Sequence, residues 1–174
     1  MTTIQLPGEL VAFLGVLGIV WQDADEDKLH QLGQLWSDFA TTQRNLVSEA
    51  DSYARAVWTA NEGVTADAFR TSWTGESAPS ANLRDAADAA DMIAAGLHAA
   101  AAIVVALKLK VIAEVTFFAR VCWVAAQAAK TPWTAVLAVA GVVAARIATV
   151  MAIDAAIEAA MKALLDEPGQ GPAK

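Results

Sequence analysis

One cysteine, one tyrosine, two histidines and five prolines in 174 residues close off several readings at once. Cys122 has no partner for an intrachain disulfide, so the fold is not a disulfide scaffold; the residue reads as a small buried hydrophobe. His30 and His98 fall in different helical runs. Neither belongs to a Glu-x-x-His or His-Glu-x-x-His pair, which excludes the di-iron and zinc-protease patterns. Strand periodicity is absent, and so is a glycine-rich phosphate loop that a strand would feed. The acidic cluster Asp23, Asp25, Glu26, Asp27 lacks the alternating ligands, central glycine and distal glutamate of a calcium loop. Asp85, Asp88 and Asp91 lack the adjacent aspartates of a diphosphate motif and read as a solvated helix face. No catalytic residue, metal ligand or cofactor is therefore expected, and the chain reads as non-enzymatic.

Charge of one sign is also scarce where nucleic acid would need it. The net charge is −7, and residues 1–91 hold fourteen acidic side chains against five basic ones. A phosphate backbone demands clustered Lys and Arg, so a nucleic-acid partner is excluded. Residues 92–174 are mildly basic, with seven basic and five acidic side chains, and very apolar. The run from Leu10 to Val20 has no basic residue before it, Glu9 at its edge and no small-x-small site after it. It does not read as a Sec signal, so any export is expected to be Sec-independent.

What is present is alanine, the best helix former, in a chain that is 56% hydrophobic. Four of the prolines (Pro7, Pro79, Pro132, Pro168) stand where helices would start or stop. An all-α fold is expected. Residues 7–20 read as a short apolar helix packed on the longer helices of the bundle. A first long helix starts near Asp23, with Asp23 and Glu26 at capping-box spacing. It continues to about residue 62 with a seam at Leu29, Leu32, Trp36, Phe39, Gln43, Leu46, Ala50, Tyr53, Val57 and Ala60. These spacings of three and four make a heptad seam that calls for a long partner helix, in this chain or another. Residues 61–79 read as an elbow with a short helical turn near Ala66–Arg70, and Trp73-Thr74-Gly75 lies in it. Gly75 is expected to permit a tight chain reversal.

A second long helix is expected over residues 80–130, antiparallel to the first. Its seam runs through Leu83, Ala87, Ala90, Ala94, Leu97, Ala101, Val104, Lys108, Val111, Val115, Phe118, Cys122 and Ala125. Thr131 and Pro132 read as N-cap and first residue of a third helix ending near Asp166. Residues 1–167 read as one domain and 168–174 as the start of a linker or tail. Residues 133–153 are apolar over a membrane-spanning length, but Arg146 interrupts them, which favours a buried bundle helix.

A Trp-x-Gly in the elbow of a long helical hairpin resembles the WXG superfamily of type VII (ESX) secretion substrates. The opening Pro7-Gly8-Glu9-Leu10, then Trp21 with Asp25-Glu26-Asp27, then Leu29, Leu32 and Trp36, resembles a longer subgroup. These are the N-terminal domains of large actinobacterial polymorphic toxins, among them a mycobacterial outer-membrane channel protein with a necrotizing toxin. The resemblance implies a secreted or envelope-associated protein, exported by the type VII machinery. It further implies a helical WXG-like partner or self-association, Trp73 and Gly75 as the secretion and partner motif, and often a downstream toxin. One feature departs from the pattern: family signals carry Tyr-x-x-x-Asp/Glu, whereas Tyr53 here is followed by Val57. The competing expectation is a membrane-active, channel-forming helical domain, with possible membrane contact.

Overall fold

The computed structural model describes residues 3–165, and every regular element among them is an α-helix. The order is α1 (Gly8–Leu17), α2 (Glu26–Ala60), α3 (Val64–Thr74), α4 (Pro79–Ala128) and α5 (Pro132–Leu165). The expected linker at 168–174 lies outside the described residues. Contacts divide the chain into two compact units. Lys28–Ala99 forms one, and the described parts of 1–27 and 100–174 form the other.

The unit Lys28–Ala99 is a helical hairpin closed by α3. Its α2 and α4 segments run antiparallel, since His30 meets His98 while Asp51 meets Arg84. Ala40, Ala87 and Ala90 form its small, fully buried centre. The expected elbow is more regular than its sequence indicated. It contains the eleven-residue helix α3, and Trp73 sits inside the last turn of that helix. Gly63, at φ 106°, turns the chain into α3, a conformation that favours glycine. Gly75, by contrast, has φ −69° and ψ 160°, which any residue adopts, so it does not make a left-handed reversal. Its constraint is space: a Cβ there would lie 3.3 Å from the Thr71 carbonyl oxygen.

In the other unit, α1 lays Leu14 and Leu17 against Val111, Val115 and Phe118 of α4 and Ile153 of α5. Phe13 meets Phe118 edge to face, with ring centres 6.1 Å apart. Gly18, at φ 76°, closes α1 by donating its N–H to the carbonyls of Leu14 and Gly15. Arg146 completes that helix end. Its Nε donates to the Val16 carbonyl at 3.0 Å, supplying positive charge where the helix dipole is negative. Cys122 is half-buried beside this core. Thr131 caps α5 as its sequence indicated: the Thr134 N–H donates to Thr131 Oγ1 at 3.2 Å, and the Thr131 N–H donates to Thr134 Oγ1 at 2.9 Å.

The start of α2 departs from expectation. The helix begins at Glu26, not at Asp23. Glu26 is not the third residue of a capping box, because its carboxylate is used elsewhere. Lys108 Nζ donates to Glu26 Oε2 at 2.5 Å and to the Ala24 carbonyl at 2.6 Å, and the Ile4 N–H donates to Glu26 Oε1. The two side chains are 6% and 1% exposed. Burial pushes the Glu26 carboxyl up. The Lys108 ammonium and the Ile4 N–H outweigh it and hold the carboxyl below the usual range.

Candidate partner-binding site

The elbow is held by a polar lock built from three helices of the Lys28–Ala99 unit. Trp73 Nε1 of α3 donates to Asp51 Oδ1 of α2 at 2.9 Å. Arg84 of α4 pairs with the other oxygen of the same carboxylate. Ser80, at the start of α4, donates its hydroxyl to the Trp73 carbonyl at 3.0 Å. The indole N–H and then the Arg84 guanidinium hold the Asp51 carboxyl below its ordinary range. On its other side Trp73 meets Phe69, which meets Trp58, at ring-centre distances of 6.1 and 5.9 Å. A tryptophan is thus required for two reasons, a donor for Asp51 and an aromatic body for Phe69. Trp73 and Gly75 each remain partly exposed.

The seam of large residues on α2 does not face α4. After Glu26, the buried positions of this helix are Gly33, Ala40, Val47 and Ala54, a strict seven-residue repeat. Leu32, Phe39, Leu46 and Tyr53 each stand one residue before one of them, 100° around the helix, and so point away from the hairpin interior, while Leu29, Trp36, Gln43, Ala50 and Val57 stand three or four residues from one, at the margin of the inner face. Leu29 is half-buried. Leu32, Trp36, Phe39, Leu46, Tyr53 and Val57 are exposed, from 38% at Trp36 to 67% at Tyr53. Leu32, Leu35, Trp36 and Phe39 line an open groove of about 320 Å³ on this face. Trp36 and Phe39 stand edge to face within it, 6.0 Å apart.

Close approach of α2 and α4 explains this choice of inner face. Alanine against alanine lets two helices come near, and polar pairs then stitch the flanks. Arg44 reaches both Asp88 and Asp91, at 2.7 and 2.5 Å. These two aspartates, read from sequence as a solvated face, raise the Arg44 pKa, Asp88 contributing more. His98 lies on Gly33, where a Cβ would come within 2.7 Å of its ring, and its Nδ1 is 3.0 Å from Nδ1 of His30. Sequence spacing gave no hint of this histidine pair, because its members are far apart in the chain. Lys108 did leave a trace, as the single charge on the apolar seam of α4. Among the described residues no cluster of three or more His, Cys, Asp or Glu side chains could hold a metal ion.

A sequence profile for the WXG100-like domain matches residues 5–151. The chain belongs to the WXG100-like family. No curated protein and no solved structure matches it. Members of this family are secreted helical proteins rather than enzymes, and the match marks the chain as a type VII secretion-related helical module. The matched region draws on both compact units, and within it lie the Trp73 lock and the exposed face of α2.

Proposed function

We propose that this WXG100-like chain is a type VII secretion-targeting module whose α2 outer face binds a helical partner. It acts as one domain over residues 1–167, as the N-terminal part of, or companion to, a secreted toxin. The observation that carries the partner reading is the unsatisfied seam. A heptad of large apolar side chains is left outward on a helix whose inner face is already filled by small ones. A helix laid along Leu32, Trp36, Phe39, Leu46 and Val57 gains about 1 kcal/mol from covering each half-exposed side chain. The five together, about 5 kcal/mol, lie near the lower range of the rigid-body cost of association. Stable pairing therefore requires the partner to fill the Trp36–Phe39 groove as well.

In this scheme the lock fixes the angle at which α3 leaves α2, and with it the surface offered around Trp73. Tyr53 projects from the same outer face as Val57, along the path of a partner laid on the seam.

The test is sedimentation and co-purification with helical proteins encoded beside this chain. Leu32→Asp and Leu46→Asp should abolish association while leaving the thermal midpoint unchanged, because both side chains are already exposed. A strict monomer at high concentration that also captures no neighbouring gene product refutes the reading.

A second reading, a membrane-active channel-forming domain, has one observation in its favour. Val64–Ala128 and Pro132–Leu165 are long and apolar enough to cross a membrane, and only 17% and 11% of their most apolar stretches are buried.

A further inference from the structure

We infer that the α4–α5 turn region, residues 117–151, is a docking surface for an anionic lipid bilayer. The inference rests on the membrane-active reading for the choice of a lipid partner, but it needs no channel.

Three observations converge on this turn region. First, its charge is opposite to that of the rest. Residues 115–153 contain Arg120, Lys130 and Arg146 and no acidic side chain, so the remaining residues carry −10 of a chain total of −7. The acid-free stretch is bounded by Glu114 and Asp154. Second, its apolar side chains are displayed. Trp123, Val124, Trp133, Val136, Val139 and Val143 are each more than half exposed. Only Thr149 and Ile153 of α5 are buried. An apolar helix face belongs in a core or in lipid, and away from the Thr149–Ile153 side that meets the core the apolar first half of α5 is uncovered. Third, α4 and α5 leave a groove of about 590 Å³ between them, lined by Phe117, Val121, Val124, Leu137 and Gly141, with Arg120 at its edge. A soluble protein rarely displays so much contiguous apolar surface without a binding role.

Charge and aromatic placement select a bilayer over a second copy of the chain. Trp123 and Trp133 flank the turn that carries Lys130. Indole rings beside basic side chains match the headgroup boundary, where an amphipathic ring sits between lipid phosphate and acyl chain. An acidic protein meets an anionic surface through the basic side chains it exposes, and here Arg120 and Lys130 stand beside the exposed Trp123 and Trp133. Arg146 does not oppose shallow insertion. Its Nε is already engaged by the Val16 carbonyl, while Arg120 and Lys130 remain on the exposed side to meet phosphates. The geometry is that of a hairpin end lying in the interface, with the apolar groove filled by acyl chain.

Flotation of the whole chain with phosphatidylcholine vesicles, with and without phosphatidylglycerol, tests this. Binding is expected to the anionic vesicles only and to weaken with salt. A basic side chain near such a surface is worth about 1 kcal/mol, so Arg120→Ala and Lys130→Ala should each weaken binding about fivefold, and together about thirtyfold. Val139→Asp alters a side chain 64% exposed and should abolish binding with unchanged circular dichroism. Bromine-labelled acyl chains should quench wild-type fluorescence more than that of Trp133→Phe. Equal binding to neutral vesicles, full binding by the double alanine variant, or self-association that protects Trp133 in the absence of lipid would overturn the inference. Dye release from the same vesicles judges the channel reading separately. Binding without leakage removes the channel and leaves the docking surface, whereas failure of both removes both.

Discussion

Removing Lys108 while keeping Glu26 should be among the most damaging single changes in the chain. Lys108→Met keeps the length and apolar stem of the side chain but strands a carboxylate that is 6% exposed. Breaking a buried ion pair from one side costs about 3–5 kcal/mol, because the surviving charge loses its partner and regains no water. The Ala24 carbonyl loses a donor as well. For a chain of this size each kcal/mol shifts the thermal midpoint by about 2–4 °C. A fall of roughly 6–20 °C is therefore expected by calorimetry. Glu26→Gln/Lys108→Met should recover most of it, since the amide oxygen still accepts from Ile4 and no charge is left buried.

The pH dependence supplies a sign as well as a size. In the wild type the Glu26 carboxyl is held below its unfolded value of 4.5. The folded state then binds fewer protons than the unfolded one. Its contribution is present above pH 4.5 and is lost as pH falls through the depressed folded value. In Lys108→Met the attraction is gone and burial dominates, so the folded carboxyl should hold its proton more tightly than the unfolded one. The contribution of this group then falls as pH rises, the opposite slope. Urea titrations of both proteins across the acid range read this difference directly. A double variant as unstable as the single one, or the same slope in both proteins, would refute the reasoning.

Trp73→Phe keeps the ring against Phe69 and deletes only the indole donor. It should cost about 1–2 kcal/mol for a partly exposed bond to a charged acceptor and raise the Asp51 carboxyl as seen by carbon-13 NMR; an unmoved Asp51 would show that Arg84 alone holds it. Trp73→Ala should lower export or partner capture while helix content stays nearly constant, and wholesale unfolding would instead make the residue purely structural. Gly33→Ala, normally worth close to 1 kcal/mol to a helix interior, should bring no gain here because its Cβ meets the His98 ring at 2.7 Å. In a His98→Ala background the gain should return, and denaturant midpoints of the four proteins decide it.

How much of this was legible without coordinates differs from helix to helix. Most of the α4 seam was readable, though Leu83 at its start is 42% exposed and Leu97, Val104, Cys122 and Ala125 are only half-buried. Ala87, Ala90, Ala94, Ala101, Lys108, Val111, Val115 and Phe118 are all buried, and each stands on the four-three pattern visible in the sequence. The start of α5 was equally plain, because Thr131 and Pro132 act through bonds within a single turn. Both depend on local periodicity or local capping, which neighbouring residues alone specify. The α3 helix was underestimated, since its contacts to Asp51 and Trp58 come from another helix.

On α2 the periodicity showed the stripe of large side chains, while the line of Gly33, Ala40, Val47 and Ala54 beside it emerged only in the fold. By itself the sequence did not determine which stripe would meet α4. That depended on the alanines α4 presents and on Arg44 reaching Asp88 and Asp91, contacts between residues more than forty positions apart. Hydrophobic size alone favoured the Leu32–Trp36–Phe39 stripe as the interior. Fit between two small-faced helices, with charge pairs closing each side, put Gly33, Ala40, Val47 and Ala54 there and left the large stripe outside. In the same way, spacing already placed Lys108 as the single charge on the apolar seam of α4. Only the folded chain could bring Glu26, Ala24 and Ile4 to it, because satisfying a buried ammonium takes oxygens from wherever in space they lie, and for Lys108 that place is more than eighty residues away.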